Sequence, residues 1–546
     1  MKLNRYIPVL LAGLVFSAAC TNLDEVVPES GTLLASQLQE TNAATPSRAG
    51  ASFTGLFNAL GQPDYYGYDT PDDFGVLMML FCNDLESADA TSSDNNYNWF
   101  SVCGEYSSRN ASYRNPVIRY RTPYSIISNV NDFLAGFGED VQDAESLAMM
   151  GQAKCLRAYA YLLLASDFQF NYTIAKDQPC VPICSPDIED PTNNPRATVE
   201  EIFDIILDDL NDAIEKLDGY ERTYKQNLDQ QVAYGLRARV YLTMGRYAEA
   251  AADAEKAAEG YVPASIEEVS TPTFMDIDEH NWIWGFDMNA DQADRYIYAT
   301  TSAWLRSFSG YAYSAGTGTY TCINKILYDK IPSTDVRKGW WVDENLYSPL
   351  LDGLTWDAGD QGSASGQAIA DFTYEDKLPF QAYTNVKFGC LTLGTILNAE
   401  DMPLMRVEEM ILIQAEGYAK SGQEAKGREI LENFVRTYRD PAYSAAAGGR
   451  SLADEIWFQR RVELWGEGFG IMDTKRLNKP MVRFLGTAES TNVSPAFRFN
   501  MKADDGWLNM RFSNSELNTN FGIVDNTGGA LPVMDQNPTL RDGVTD

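Results

Sequence analysis

Residues 92–106 read SSDNNYNWFSVCGEY, and Tyr97, Asn98 and Trp99 stand side by side in this polar, turn-rich stretch. These residue types suit recognition better than turnover. An aromatic face stacks on the flat C–H face of a sugar ring, and asparagine amides donate to and accept from its hydroxyls. Catalytic chemistry finds less support. The chain has one histidine, His280, which disfavours sites built from several. A glycoside hydrolase needs two carboxylates about 5–10 Å apart. With 77 acidic residues, some pair meets that distance by chance, and no local motif singles one out. The acidic PDIED at 186–190 lacks EF-hand spacing. No catalytic residue, metal ligand or cofactor is assigned.

Of eight cysteines, Cys20 has the most telling context. Lys2 and Arg5 precede the apolar run IPVLLAGLVF, and Ser17, Ala18 and Ala19 follow it. This is the layout of a secretory signal, too short for a membrane span of ~20 apolar residues. A cysteine directly after two small residues resembles a bacterial lipobox, whose thiol is acylated and whose cysteine becomes the new N-terminus. Ser17 stands where leucine is usual. The expectation is a signal peptide over 1–19, a lipid on Cys20, and a body held to the membrane by that lipid alone, because no later stretch approaches span length without charges. The other seven cysteines are an odd number, so any disulfide pairing leaves at least one free. Cys180 and Cys184 lie in PCVPICSPD, which reads as a loop, without neighbours to complete a zinc site; whether they bridge stays open. A net charge of −34 repels phosphate backbones and argues against nucleic acid as a partner.

The elements that must carry the loop are helical. Apolar periodicity predicts helices near 143–168, 198–217, 229–260, 403–438 and 451–468. Thr198 and Glu201 form a capping box, and Ile202, Ile206, Leu210, Ala213 and Leu217 draw one buried stripe behind it. Small and aromatic residues recur in a shared frame: Ala238, Tyr241, Gly245, Tyr247, Ala250, Ala254 and Ala257; Ala415, Tyr418, Gly422 and Gly427; and, more weakly, Ala158, Tyr161 and Ala165. They occupy the positions of tetratricopeptide units, where small residues let paired helices approach. Between these units, residues 270–400 are rich in Gly, Tyr, Trp, Ser and Asp. There NWIWGFDM predicts a short strand with one aromatic face, with Trp282 and Trp284 in the core. Trp457 and Trp465 read as packing residues; Trp340 and Trp341 fit either role. The expected fold is mainly α: tetratricopeptide-like helix pairs forming a scaffold, with long irregular aromatic-rich loops and a few short strands. It forms one domain over 20–546: a helical frame at about 46–260 and 401–470, a loop-rich ligand and partner region at about 270–400, and an irregular segment at 471–546.

Across nearly its whole length the sequence resembles the SusD/RagB family of outer-membrane nutrient-binding lipoproteins. Cys20, PYSIISNVNDFL, GQAKCLRAYAYLLLASDF, RATVEEIFDIILDDLNDAI, PLMRVEEMILIQAEGYAKSG and RRVELWGEGFGIMDTKRL carry the resemblance, the last two most specifically. It departs at Trp465 and Gly470 and in the lack of a histidine in EGFGIMD. The resemblance implies a non-enzymatic lipoprotein, anchored in the outer membrane by its N-terminal lipid and facing the exterior. It also implies a SusC-like TonB-dependent transporter as partner and a glycan, or another nutrient such as a peptide, as ligand; a surface glycoside hydrolase is the alternative. By position, Tyr97, Asn98 and Trp99 match a family segment with a stacking aromatic and an asparagine. Trp304 and Tyr320 fall in the later loop region that also contributes. Tyr296, Tyr311 and Tyr313 are weaker choices, and Trp356, in a Gly/Asp-rich loop, is a further candidate.

Overall fold

The computed structural model describes residues 35–93, 99–138, 140–308, 317–355, 379–393 and 397–546. The frame is built from α1 (Gly75–Leu85), α2 (Arg114–Ala135), α3 (Ala144–Phe168), α4 (Val199–Lys216), α5 (Gln230–Thr243), α6 (Tyr247–Ala257), α7 (Val407–Lys420), α8 (Glu424–Tyr438), α9 (Leu452–Glu463) and α10 (Gly470–Arg476). From α2 to α8 each helix packs on the next. The contact of α6 with α7 joins segments about 150 positions apart, so both predicted parts of the frame form one continuous row.

The repeat residues explain this row. Gly245 and Gly422 take φ of +73° and +89° at the turns after α5 and α7, a left-handed stop that only glycine adopts without strain. The Arg246 and Gln423 N–H groups then donate to the Tyr241 and Tyr418 carbonyls, the same turn made twice. Helix separation is set by missing side chains. A Cβ on Gly417 would lie 2.5 Å from the Tyr247 carbonyl oxygen on α6, and one on Gly427 would lie 2.6 Å from that of Ala415 on α7. The α4 stripe is buried as expected, and the Thr198–Glu201 capping box is formed, a device worth about 0.5–2 kcal/mol.

Several expectations need correcting. The pattern over 229–260 is two helices, and that over 451–468 stops at Glu463. The pattern over 403–438 opens with a strand, β6 (Met402–Arg406), before α7. That strand pairs antiparallel with β4 (Trp282–Phe286), Trp282 opposite Arg406 and Phe286 opposite Met402. All five β4 residues are buried, so both faces of the strand are covered rather than one. Shorter antiparallel pairs link β1 (Ala90–Thr91) to β5 (Cys322–Ile323) and β2 (Pro179–Pro182) to β3 (Arg196–Thr198). Cys180 therefore lies on a strand, not in a loop, and the seven described cysteines are free thiols. All four of Trp340, Trp341, Trp457 and Trp465 are buried.

A buried ion network ties the loop-rich region to the frame. Glu463, at the end of α9, lies 3.2 Å from Arg337, 3.2 Å from Arg406 and 2.8 Å from Arg439. Arg406 also meets Glu408 and Glu467, and Glu467 meets Lys387 at 2.8 Å. Burial alone would raise the Glu463 carboxyl's pKa; the Arg439, Arg406 and Arg337 guanidiniums hold it well below the usual carboxylate range. Farther on, Arg461 links Asp89 to Asp542. The buried guanidinium of Arg483 donates to the carbonyls of Leu85, Glu86, Ser87, Gly104 and Phe497. The irregular C-terminal segment is thereby pinned to the frame.

Candidate functional site

The site begins at the N-terminus of α2. Tyr113 stands at the N-cap position of that helix, and both it and Trp99 are among the exposed large aromatics, at 43 % and 42 %. Together with Asp72, Phe100 and Arg114 they border a hollow of about 640 Å³, part of it open to solvent. Cys82 and Cys103 form part of its floor, their sulfurs 3.5 Å apart. Burial pushes the Cys82 thiol well above its ordinary value, with the neighbouring Cys103 adding to the shift, so it is held neutral and inert as a nucleophile.

The loop DYYGYDTPDD, residues 64–73, reaches the hollow through Asp72. Asp73 shapes it by accepting from the Tyr66 and Tyr68 N–H groups at 2.9 and 3.2 Å. Its tyrosines then lie along α2: Tyr65 hydrogen-bonds Ser125, and Tyr66 donates to Thr122. The Arg121 guanidinium sits over the Tyr66 ring at 4.4 Å and donates to the Tyr68 hydroxyl. Arg114 lies over the Tyr68 ring at 5.2 Å and donates to Thr70 (2.7 Å) and Asp72 (3.1 Å). Such cation–aromatic contacts contribute about 0.5–1 kcal/mol each at exposed sites. They orient the rings beside the hollow and fix Arg114 and Asp72 at its edge.

Half-buried Tyr296 belongs to this face. Its phenol pKa is raised by partial burial and by the charges of Asp69, Asp64 and Asp72, and the adjacent Arg295 reaches Asp64 at 4.0 Å. Trp304 and Tyr320 do not belong to it. Trp304 lies on the wholly buried helix Thr301–Leu305, is 2 % exposed and donates its indole N–H to the Tyr298 carbonyl. Its ring meets that of Phe100 edge-on at 4.7 Å, so it supports the Trp99 segment from beneath. Tyr320 is fully buried against Phe380, just before β5. Neither offers a ring face to a ligand. Tyr97, Asn98, Cys20, Tyr311, Tyr313 and Trp356 lie outside the described residues. The sequence reading missed Tyr68, Asp72, Tyr113 and Arg114, although YYGYD carries the same aromatic-in-loop signal as YNW. His280 sits elsewhere, exposed and 3.0 Å from Glu268. Among the described residues no group of three His, Cys, Asp or Glu side chains is arranged to hold a metal, and no helix is long and apolar enough to cross a membrane.

A second concavity, about 880 Å³ and partly open, lies between α3, α4, α5, α7 and α10. Tyr159, Phe203 and Phe469 line it, with Arg239 paired to Glu409 and Arg460 paired to Asp473. Lys475 donates to the Ser166 carbonyl; burial, with a smaller push from Arg109, lowers its pKa to about 7. Below about pH 7 this lysine is charged in both folded and unfolded states, and the folded state bears the full desolvation cost. Between about 7 and its ordinary 10.5 only the unfolded state keeps the proton, so stability rises with pH. Lys475→Met is expected to raise the urea midpoint at pH 6.5, and the gap from wild type should shrink by pH 9.5. A gap independent of pH would show that the lysine titrates normally.

Comparison with known proteins fits this architecture. Residues 77–242 match a SusD-like family model described as starch-binding, associating with the outer membrane, and residues 383–538 match the SusD family model. A SusD-like carbohydrate-binding protein from Bacteroides vulgatus superposes with a TM-score of 0.69 at 22% identity, over 87% of this chain and 97% of its own. A laminarin-binding SusD-like protein gives 0.62 at 18% identity, over 88% and 99%. Surface glycan-binding protein A from Bacteroides thetaiotaomicron, in complex with laminarihexaose, gives 0.65 at 15% identity, also over 88% and 99%. No curated protein matches the chain. The chain belongs to the SusD/RagB family.

Proposed function

We propose that this protein is a non-catalytic glycan-binding lipoprotein. It is held on the outer face of the outer membrane by a lipid on Cys20, and it passes captured oligo- or polysaccharide to a SusC-like TonB-dependent transporter. The observation that carries the proposal is the hollow beside α2, where Trp99 and Tyr113 present exposed rings next to the fixed polar groups of Arg114 and Asp72. Rings stack on pyranose faces, and the flanking groups fit hydroxyls. The laminarin- and laminarihexaose-binding relatives support the ligand class. The family description, associating with the outer membrane, supports the location.

Affinity electrophoresis and calorimetry against a polysaccharide panel test the ligand class. Retardation by at least one glycan, without release of reducing ends, is expected. Binding of peptides and no glycan would redirect the ligand class, and sustained turnover would overturn the non-catalytic assignment. Co-purification of a β-barrel transporter from detergent-solubilised outer membranes tests the partner. Continued membrane attachment of Cys20→Ala without acylation would refute the lipid anchor.

A further inference from the structure

We propose that the ligand is an uncharged glycan, and that Asp72 helps enforce this by occupying Arg114. The proposal rests on the glycan-binding function above and narrows it. An anionic glycan, carrying uronate or sulfate groups, needs a cation to receive each charge. Among the described residues of this face, the guanidiniums are already engaged. Arg114 is held by Thr70 and Asp72, Arg121 by the Tyr66 ring and the Tyr68 hydroxyl, and Arg295 lies near Asp64. The loop's four carboxylates, Asp64, Asp69, Asp72 and Asp73, outnumber these three guanidiniums. Asp64, Asp69 and Asp72 all act on Tyr296 with the sign of negative charge, and Asp69 is exposed.

The long-range field has the same sign. The chain carries −34 overall. Two unit charges about 4 Å apart in water repel by about 1 kcal/mol, roughly a fivefold loss of affinity for each like-charged contact. An incoming uronate meets several such carboxylates, and at Arg114 it competes with Asp72 for the guanidinium. A neutral sugar incurs neither penalty. Its hydroxyls accept from the guanidinium and donate to the carboxylate as the pair stands.

Affinity gels at low salt, with folding checked by circular dichroism, provide the test. The neutral probes are laminarin, amylopectin, galactan and mannan; the anionic probes are polygalacturonate, alginate and chondroitin sulfate. Retardation by a neutral probe, at least tenfold stronger than by any anionic one, is expected. Asp72→Asn removes one charge and releases Arg114, so it should gain retardation by an anionic probe that fades in 0.5 M salt. Asp69→Asn, on the exposed loop, should give a smaller gain in the same direction. Wild-type protein retarded as strongly by an anionic as by any neutral probe would overturn the proposal while leaving glycan binding intact. Retardation by none of the seven would instead overturn glycan binding itself. Unchanged exclusion of anions by a folded Asp72→Asn would remove Asp72 from the proposal.

Discussion

Trp99→Ala is expected to weaken glycan binding by at least about thirtyfold, near 2 kcal/mol, without unfolding the protein. A solvent-facing tryptophan beside fixed polar groups is the residue type that dominates recognition energetics. At 42 % exposure it does little for the core, and surface substitutions away from special features stay within about 0.5 kcal/mol. Affinity and melting temperature should therefore separate: the first falls and the second holds. Trp304→Ala should do the reverse at first sight. It opens a cavity under Phe100, costs about 3–5 kcal/mol of stability, and harms binding only by loosening the Trp99 segment. Calorimetry on both variants, with thermal melts, distinguishes contact from support. Undiminished affinity in Trp99→Ala would remove the hollow from the proposed function.

Glu463→Gln should be the most damaging single substitution in the frame. It removes one negative charge from among Arg337, Arg406 and Arg439, all with fully buried side chains. Asp335, Glu408 and Glu467 remain, but they were already matched. Breaking such a buried arrangement costs about 3–5 kcal/mol because charge is left without a partner. By contrast, Glu424→Gln, which pairs with Arg428 on the exposed side of α8, should change stability by less than about 0.5 kcal/mol. Urea midpoints measured on both variants check the contrast. The network also predicts acid sensitivity. Glu463 is held below its ordinary value of 4.5, so its contribution is present above that value and is lost as pH falls below it. Equal midpoints for wild type and Glu463→Gln would show that the network contributes specificity rather than stability.

The frame was legible because its helices advertise themselves. α4 has a cap and a stripe, and the α5–α6 and α7–α8 pairs repeat the same small residues. α1 was missed for the opposite reason: GVLMMLFCNDL is buried almost all round, so no polar face marks a period. β6 was hidden because a strand covered on both faces is a short apolar run, which periodicity cannot tell from the first turn of a helix. The ion network was invisible in sequence. Arg460, Arg461 and Glu463 are of types that ordinarily face water, yet all are buried, and burial is set by what packs against them from elsewhere in the chain. The candidate site divides along the same line. Loop composition singled out Trp99 and Tyr296, which reach the surface, together with Trp304 and Tyr320, which are buried. An aromatic among glycines and serines looks the same whether its ring turns inward or outward. Tyr113 and Arg114 were missed along with α2, at whose start they stand and which no predicted helix covered.

The pinning of the irregular C-terminal segment bears on how the protein is made. Arg461 reaches 372 positions back to Asp89 and 81 positions forward to Asp542, and Arg483 satisfies carbonyls up to 398 positions upstream. Contacts so remote in the chain slow folding, because long loops must close before they are rewarded. During synthesis the amino-terminal helices emerge first but cannot complete their packing. The carbonyls of Leu85–Ser87 wait for Arg483, and α6 waits for α7. The outer-membrane location proposed above requires export, and passage as an unfolded thread suits such a chain: it would reach its destination before the residues that lock it have met.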